Sequence, residues 1–174
     1  MTVRTTTPPD LKTLTGEWRL DASQTTAAFT TKAMWIMPVR ASVTALEGSG
    51  VVGDDGSVSG TLVLDAASID TKIKKRDTHL RSEDFFEVSK FPTFVVKVLG
   101  ATPTSSGAYE LAATLTIHGQ ERSVQLPASV VVNNGVATVT VETDIDRSEW
   151  GVSLAKMGAS LKNHVVVSAR FTKV

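Results

Sequence analysis

A chain of 174 residues suits one domain of ordinary size and is short for two. It contains no cysteine, which excludes disulfide frameworks, thiolate metal sites and cysteine nucleophiles. Lys plus Arg equals Asp plus Glu, 18 each, so no net field draws nucleic acid or an anionic membrane surface, while a hydrophobic content of 41% supports a real core.

Met1 to Thr15 is rich in Thr and Pro and lacks the apolar run that a signal peptide requires. It reads as a flexible N-terminal arm (1–15) ahead of a single domain (16–174). No segment approaches ~20 consecutive apolar residues, so no bilayer-spanning helix is expected and a cytoplasmic location is the default.

Glu17 to Leu20 reads as a short first strand anchored by Trp18, followed by a turn at Asp21-Ala-Ser. Thr25 to Ala33 has strand propensity, with Phe29, Thr31 and Ala33 sharing a face. Met34-Trp35-Ile36-Met37-Pro38 interrupts it as a concentrated apolar run, and Val39 to Leu46 resumes the alternation through Val39, Ala41, Val43 and Ala45. Gly53-Asp-Asp-Gly56 is a hairpin turn, because Asp and Gly tolerate the positive φ it demands. Val58 to Leu64 follows, with Val58, Leu62 and Leu64 inward by parity.

Ser68 to Phe94 is the one convincing helical interruption. Ile69, Ile73 and Leu80 are spaced for one helix face, Ser68 or Asp70 offers a cap, and Ser82 offers a second cap before Phe85 and Phe86. Its charges pair at helical spacing, Asp70 with Lys74 and Asp77 with Lys74 and Arg81, each exposed pair contributing ~0.3–0.5 kcal/mol. If buried, Arg76 and Asp77 would be a structural ion pair. A short charged helix followed by paired aromatics in a β chain reads as a lid on a barrel end.

Strand sequence then returns: Pro92 to Leu99 (Phe94, Val96 and Val98 on one face), Tyr109 to Ile117, Val124 to Val132, Val136 to Ile145 and Lys162 to Lys173. Asn133-Asn134-Gly135 is the clearest two-residue hairpin signal. The expected fold is all-β: an antiparallel, lipocalin-like barrel of about eight strands with one helical insertion between the fourth and fifth. Its inward positions are rich in Ala and poor in aromatics, so the barrel is expected to leave an apolar interior open to a ligand.

Other motifs carry less. Gly48-Ser-Gly50-Val-Val-Gly53 matches the dinucleotide fingerprint, but a turn and another strand follow where that site needs a helix. Asp144, Asp146 and Ser148 resemble the start of a calcium loop, yet Glu149 and Ala155 occupy the places of the required glycine and carboxylate. His79, His118 and His164 share no metal-ligand spacing, and Gly56-Ser-Val-Ser-Gly60 places Val where a nucleophile would sit. No metal, cofactor or catalytic residue is expected.

Ser68-Ile69-Asp70-Thr71, Arg76-Asp77-Thr78-His79-Leu80-Arg81-Ser82, Asp84-Phe85-Phe86, Phe91-Pro92, Leu115-Thr116-Ile117-His118-Gly119 and Asp146-Arg147-Ser148-Glu149-Trp150-Gly151 together resemble the YceI-like family. Trp18 with Asp21 is similar to its opening motif. The resemblance covers roughly Glu17 to the C-terminus and implies an antiparallel barrel holding a long isoprenoid or similar lipid. The chain departs from the family at Gln24-Thr25, at Lys32-Ala33-Met34-Trp35 and across Val39 to Val43, where the family carries histidines, glycines and a phenylalanine. There Trp35, Ile36 and Met37 suggest a remodelled apolar portal.

The expected function is binding, storage or transport of a long apolar ligand, a polyisoprenoid or isoprenoid quinone. The expected contacts are Phe29, Trp35, Met37, Val43, Leu62, Phe85, Phe86, Phe94, Val96, Leu111, Leu115 and Val130. One alternative is a barrel enzyme, a cyclase or isomerase of an apolar polyene, needing polar groups such as Tyr109, Glu142 or His118. Another is a stress-related interaction module, with a possible homodimer through the Trp35 to Met37 patch.

Overall fold

The computed structural model describes residues 9–33, 36–154 and 159–174. Nine strands form one antiparallel sheet: β1 Gly16–Leu20, β2 Thr26–Ala33, β3 Met37–Val52, β4 Val58–Asp70, β5 Thr93–Pro103, β6 Tyr109–Ile117, β7 Gln120–Asn133, β8 Val136–Asp146 and β9 Lys162–Lys173. Helix α1, Lys74–Arg81, is inserted between β4 and β5. The sheet closes through the pairing of β3 with β4. Closure removes the exposed edges that would otherwise template aggregation.

Nine strands make an eight-stave barrel because β1 and β2 share one stave. Both run antiparallel to β3 and to β9, β1 beside Ser49 to Val52 and β2 beside Met37 to Val43. The break between them is a 3-10 turn at Ala22–Gln24. It is stitched to β9 by the Asp21 amide on the Arg170 carbonyl (2.7 Å) and the Arg170 amide on Thr25 Oγ1 (3.2 Å).

The alternation read from the sequence is the alternation of burial. Val39, Ala41 and Val43 on β3, and Tyr109, Leu111, Ala113 and Ile117 on β6, all face inward and are buried. The Asn134-Gly135 hairpin forms as expected, with φ of 51° and 76° at its two residues, the left-handed pair that suits strand twist.

The helical interruption is shorter than its periodicity suggests. β4 continues through Asp70, so Ser68, Ile69 and Asp70 are strand residues and Ile69 is fully buried in the barrel core. Ile73 is the N-cap residue and is 51% exposed, so the three apolar residues share no helix face. Neither expected cap forms. Ser68 Oγ accepts from the Thr44 amide and donates to the Asp65 carbonyl in a β3–β4 irregularity, and Asp70 binds Lys72. Ser82 caps a turn rather than a helix, its Oγ accepting from the Asp84 amide.

The helix charges do not pair along its surface as expected. Arg81 donates to the carbonyls of Ala67 (2.8 Å) and Ile69 (3.0 Å) on β4. Asp77 is buried, and it and Arg76 both bind Thr71 rather than each other. Tertiary anchoring therefore holds a helix too short and too polar to be stable alone.

Candidate ligand cavity

The barrel holds a cavity of about 270 Å³ lined by residues of all nine strands, from Leu11 at one end to Phe86 and Arg147 at the other. Its wall is almost wholly apolar, with Val, Leu, Ala and Phe contributed by every stave. Small residues account for the space: Ala27, Ala137 and Ala169 line it, and Gly50 pairs with Gly60 in the wall between β3 and β4.

The α1 end is sealed by aromatic and aliphatic packing. Phe86 sits edge-on to Phe94 (5.2 Å between ring centroids) and to Phe29 (6.3 Å), so one loop residue bridges β2 and β5. Trp150 and Val152 are each 1% exposed, and the Trp150 indole N–H donates to the Leu115 carbonyl at 2.8 Å.

Arg147 is buried at the same end. Its Nε, Nη1 and Nη2 donate to the carbonyls of Ser160 (3.2 Å), Val152 (2.7 Å) and Leu154 (2.6 Å), and the guanidinium lies 5.4 Å from the Phe85 ring centre. Burial pulls its pKa below the ordinary arginine value, partly offset by Asp146. Carbonyl dipoles and an aromatic face thus satisfy the cation without a paired carboxylate among the described residues. The cation braces the loop after β8.

The opposite end is closed by a 3-10 helix, Leu11–Leu14, from the stretch expected to be a flexible arm. Leu11 and Leu14 line the cavity. The Trp18 indole donates to the Leu14 carbonyl at 2.9 Å, Thr15 Oγ1 to the Gly53 carbonyl at 3.3 Å, and the Tyr109 hydroxyl to the Pro9 carbonyl. Residues 9–15 therefore cross the mouth from the start of β6 to the β3–β4 hairpin.

Of the residues expected to meet a ligand, Phe29, Val43, Leu62, Phe86, Phe94, Val96, Leu111, Leu115 and Val130 all line the cavity. Trp35 lies outside the described residues. Met37 does not line the cavity: it shares the parity of Val39 and Val43 but stands at the rim, 54% exposed. Phe85 does not line the cavity: it packs on the edge of the core, edge-on to His79 at 5.1 Å and against Arg147. Sequence reading missed Leu11, Leu14 and Trp18 as wall residues; for the first two, the apolar pair three apart in a Thr- and Pro-rich stretch was the available signal.

The polar groups named for a possible enzyme do not converge. Tyr109 lines the cavity but spends its hydroxyl on Pro9. Burial raises its pKa, with Asp10 adding to the effect. Glu142 lies on the outer wall, where it and Asp144 bind the two ring nitrogens of His164 at 2.7 Å each. His118 packs on Phe91 outside the lumen, its ring nitrogens buried without hydrogen-bond partners among the described residues, with Nε2 3.5 Å from Glu87 Oε2. His79 binds Asp84 at 2.9 Å, which ties α1 to the turn that follows it. Among the described residues no group of three His, Cys, Asp or Glu side chains is arranged to hold a metal ion, and no helix is long and apolar enough to cross a membrane.

Known proteins of similar shape have this architecture. The crystal structure of BcnA from Burkholderia cenocepacia superposes with a TM-score of 0.76 at 18% identity, over 87% of this chain and 98% of that one. A polyisoprenoid-binding domain from Saccharophagus degradans gives 0.70 at 17% identity, over 90% and 98%. At these identities the likeness shows the fold alone. Among curated relatives, a UPF0312 protein of Vibrio cholerae is 32% identical over 68 residues, 39% of this chain and 36% of the relative. One from Azotobacter vinelandii is 31% identical over 68 residues, 39% and 35%. The alignments thus span about a third of those relatives' length. A sequence model of the YceI-like domain matches residues 18–172, nearly the whole barrel, and the chain belongs to the YceI-like family.

Proposed function

We propose that the barrel binds a long apolar chain, a polyisoprenoid or the tail of an isoprenoid quinone, and stores or carries it away from water. The observation that carries this reading is the apolar cavity that the strands line between the Leu11–Leu14 end and the Phe86 end. At about 30 Å³ per water-sized group packed as in a liquid, 270 Å³ is room for a stretch of chain of about ten carbons. Burying ten CH₂ groups contributes about 8 kcal/mol, which is comparable to the cost of association, so affinity grows with chain length without polar recognition. The fold likeness to a domain described as polyisoprenoid-binding supports the same ligand class.

The test is organic extraction and native mass spectrometry of the purified protein, followed by loading of the emptied protein with geraniol and with geranylgeraniol. Retention of a stoichiometric isoprenoid, native or added, is expected. A protein that carries no lipid and takes up no prenol would overturn the reading.

A further inference from the structure

The Leu11–Leu14 helix occupies an unusual place. It lies outside the residues matched by the family, which begin at 18, yet it supplies the far wall of the cavity. Leu11 packs on two separate core clusters, one around Tyr109, Leu111 and Leu126 and the other around Trp18, Val52 and Ala137, so it spans the lumen rather than capping one stave. No residue of this helix is fully buried. Its attachment rests on a few bonds at its two sides, to Trp18, Gly53 and Tyr109, and on contact with the hairpin at Gly56. An element held by so few contacts belongs to the low-stability end of the structure.

Beside this wall the lumen has a bay. A Cβ added at Gly50 would meet nothing nearer than the Ser59 carbonyl oxygen at 3.7 Å and Trp18 Cβ at 4.0 Å, and Gly50 lines the cavity. The end of a bound chain therefore meets Leu11, Leu14, Trp18 and the Gly50 bay, while the Tyr109 hydroxyl at this end is already bonded to Pro9.

We propose that this N-terminal helix and the Gly50 bay together form a ruler that sets the longest chain the barrel accepts. The inference rests on the lumen-binding reading and adds a specificity determinant to it. A chain that fits gains burial with each carbon until it reaches Leu11. A longer chain gains nothing more unless it expels the helix, which exposes Leu11 and Leu14 and breaks the bonds to Trp18, Gly53 and Tyr109. Selection is thus by a steric limit at the apolar terminus.

The experiment uses the full chain, emptied and offered an equimolar ladder of 3-methylbut-2-en-1-ol, geraniol, farnesol, geranylgeraniol and solanesol, with bound prenols counted by native mass spectrometry. Two variants move the limit in opposite directions. Leu11→Ala with Leu14→Ala shortens the plug and should raise the retained share of the longest prenol at least tenfold relative to the parent. Gly50→Leu fills the bay at a position of ordinary φ and should shift the limit to a shorter member of the ladder. Circular dichroism confirms that each variant keeps its sheet. The same length profile in all three proteins would overturn the ruler while leaving lumen binding intact. No prenol retained by any of them would overturn both.

Discussion

Asp77 on α1 and Thr71, just beyond β4, are joined twice: Asp77 Oδ1 accepts from the Thr71 amide at 2.8 Å and from its hydroxyl at 2.5 Å. Both residues are buried, and Arg76 Nε donates to the same hydroxyl oxygen at 2.8 Å. Asp77→Ala leaves two buried donors unmatched, each costing ~1–3 kcal/mol. We expect the variant to lose about 2–4 kcal/mol in urea unfolding, with Asp77→Asn recovering part because it keeps one acceptor oxygen. A loss within error of zero would mean that the helix anchors elsewhere.

Phe86 is the loop residue that reaches the lumen, and it contacts rings on two staves. Truncation to Ala removes those contacts and leaves space that the rigid barrel cannot fill by collapse. Core Phe→Ala changes cost about 3–5 kcal/mol, and the lower figure is expected here because Phe86 already borders a cavity. Chemical denaturation of Phe86→Ala beside Phe85→Ala checks the assignment. Phe85 lies outside the lumen, so its removal should leave prenol loading unchanged while that of Phe86 alters it.

The outer wall carries a pH-dependent element of its own. Hydrogen bonds from the protonated His164 ring to Asp144 and Glu142 raise its pKa above the ordinary 6.5. Because the folded value is the higher one, the stabilisation is fully present below about pH 6.5 and is lost as pH rises through the raised value. A fall in melting temperature on going from mildly acidic to alkaline buffer is therefore expected, and His164→Gln should flatten it. All three groups are solvent-exposed, so added salt should also shrink the effect. An unchanged slope in the variant would place the dependence on other groups.

The barrel was legible because its signals are local. Val, Thr and Ala alternating with period two, with Asp-Gly and Asn-Gly turns between, specify strand, face and hairpin together, and closure follows from having no apolar edge left over. The helix boundary was not legible from periodicity, since Ile69 belongs to a strand whose irregular pairing with β3 lets a buried residue fall at helical spacing from Leu80. Strand parity alone pointed to Phe29, Val43, Leu62, Phe94, Val96, Leu111, Leu115 and Val130, all of which line the lumen. Met37 misleads because parity says which way a side chain points and nothing about whether the barrel still surrounds it at the rim. The plug at Leu11–Leu14 was hidden because a single turn of 3-10 helix has too few residues to show a period.

Two glycines with the same backbone requirement separate the cost of conformation from the cost of collision. Gly119 and Gly135 both sit in two-residue hairpins, at φ of 72° and 76°. Beyond Gly135 a Cβ would meet nothing within 4 Å, so Gly135→Ala carries only the left-handed penalty, about 1–2 kcal/mol. At Gly119 a Cβ would lie 2.5 Å from Phe91 Cε1, inside any tolerable contact. Phe91 is itself packed on His118 at 4.7 Å, so its ring cannot retreat without parting the loop after α1 from the β6–β7 hairpin. Gly119→Ala should therefore be the more destabilising of the pair by about 1–3 kcal/mol, the usual cost of overpacking. Parallel urea titrations of the two variants measure the difference. Equal losses would show that Phe91 moves freely and that the loop is held at the barrel mouth by Phe86 and Arg81 without it.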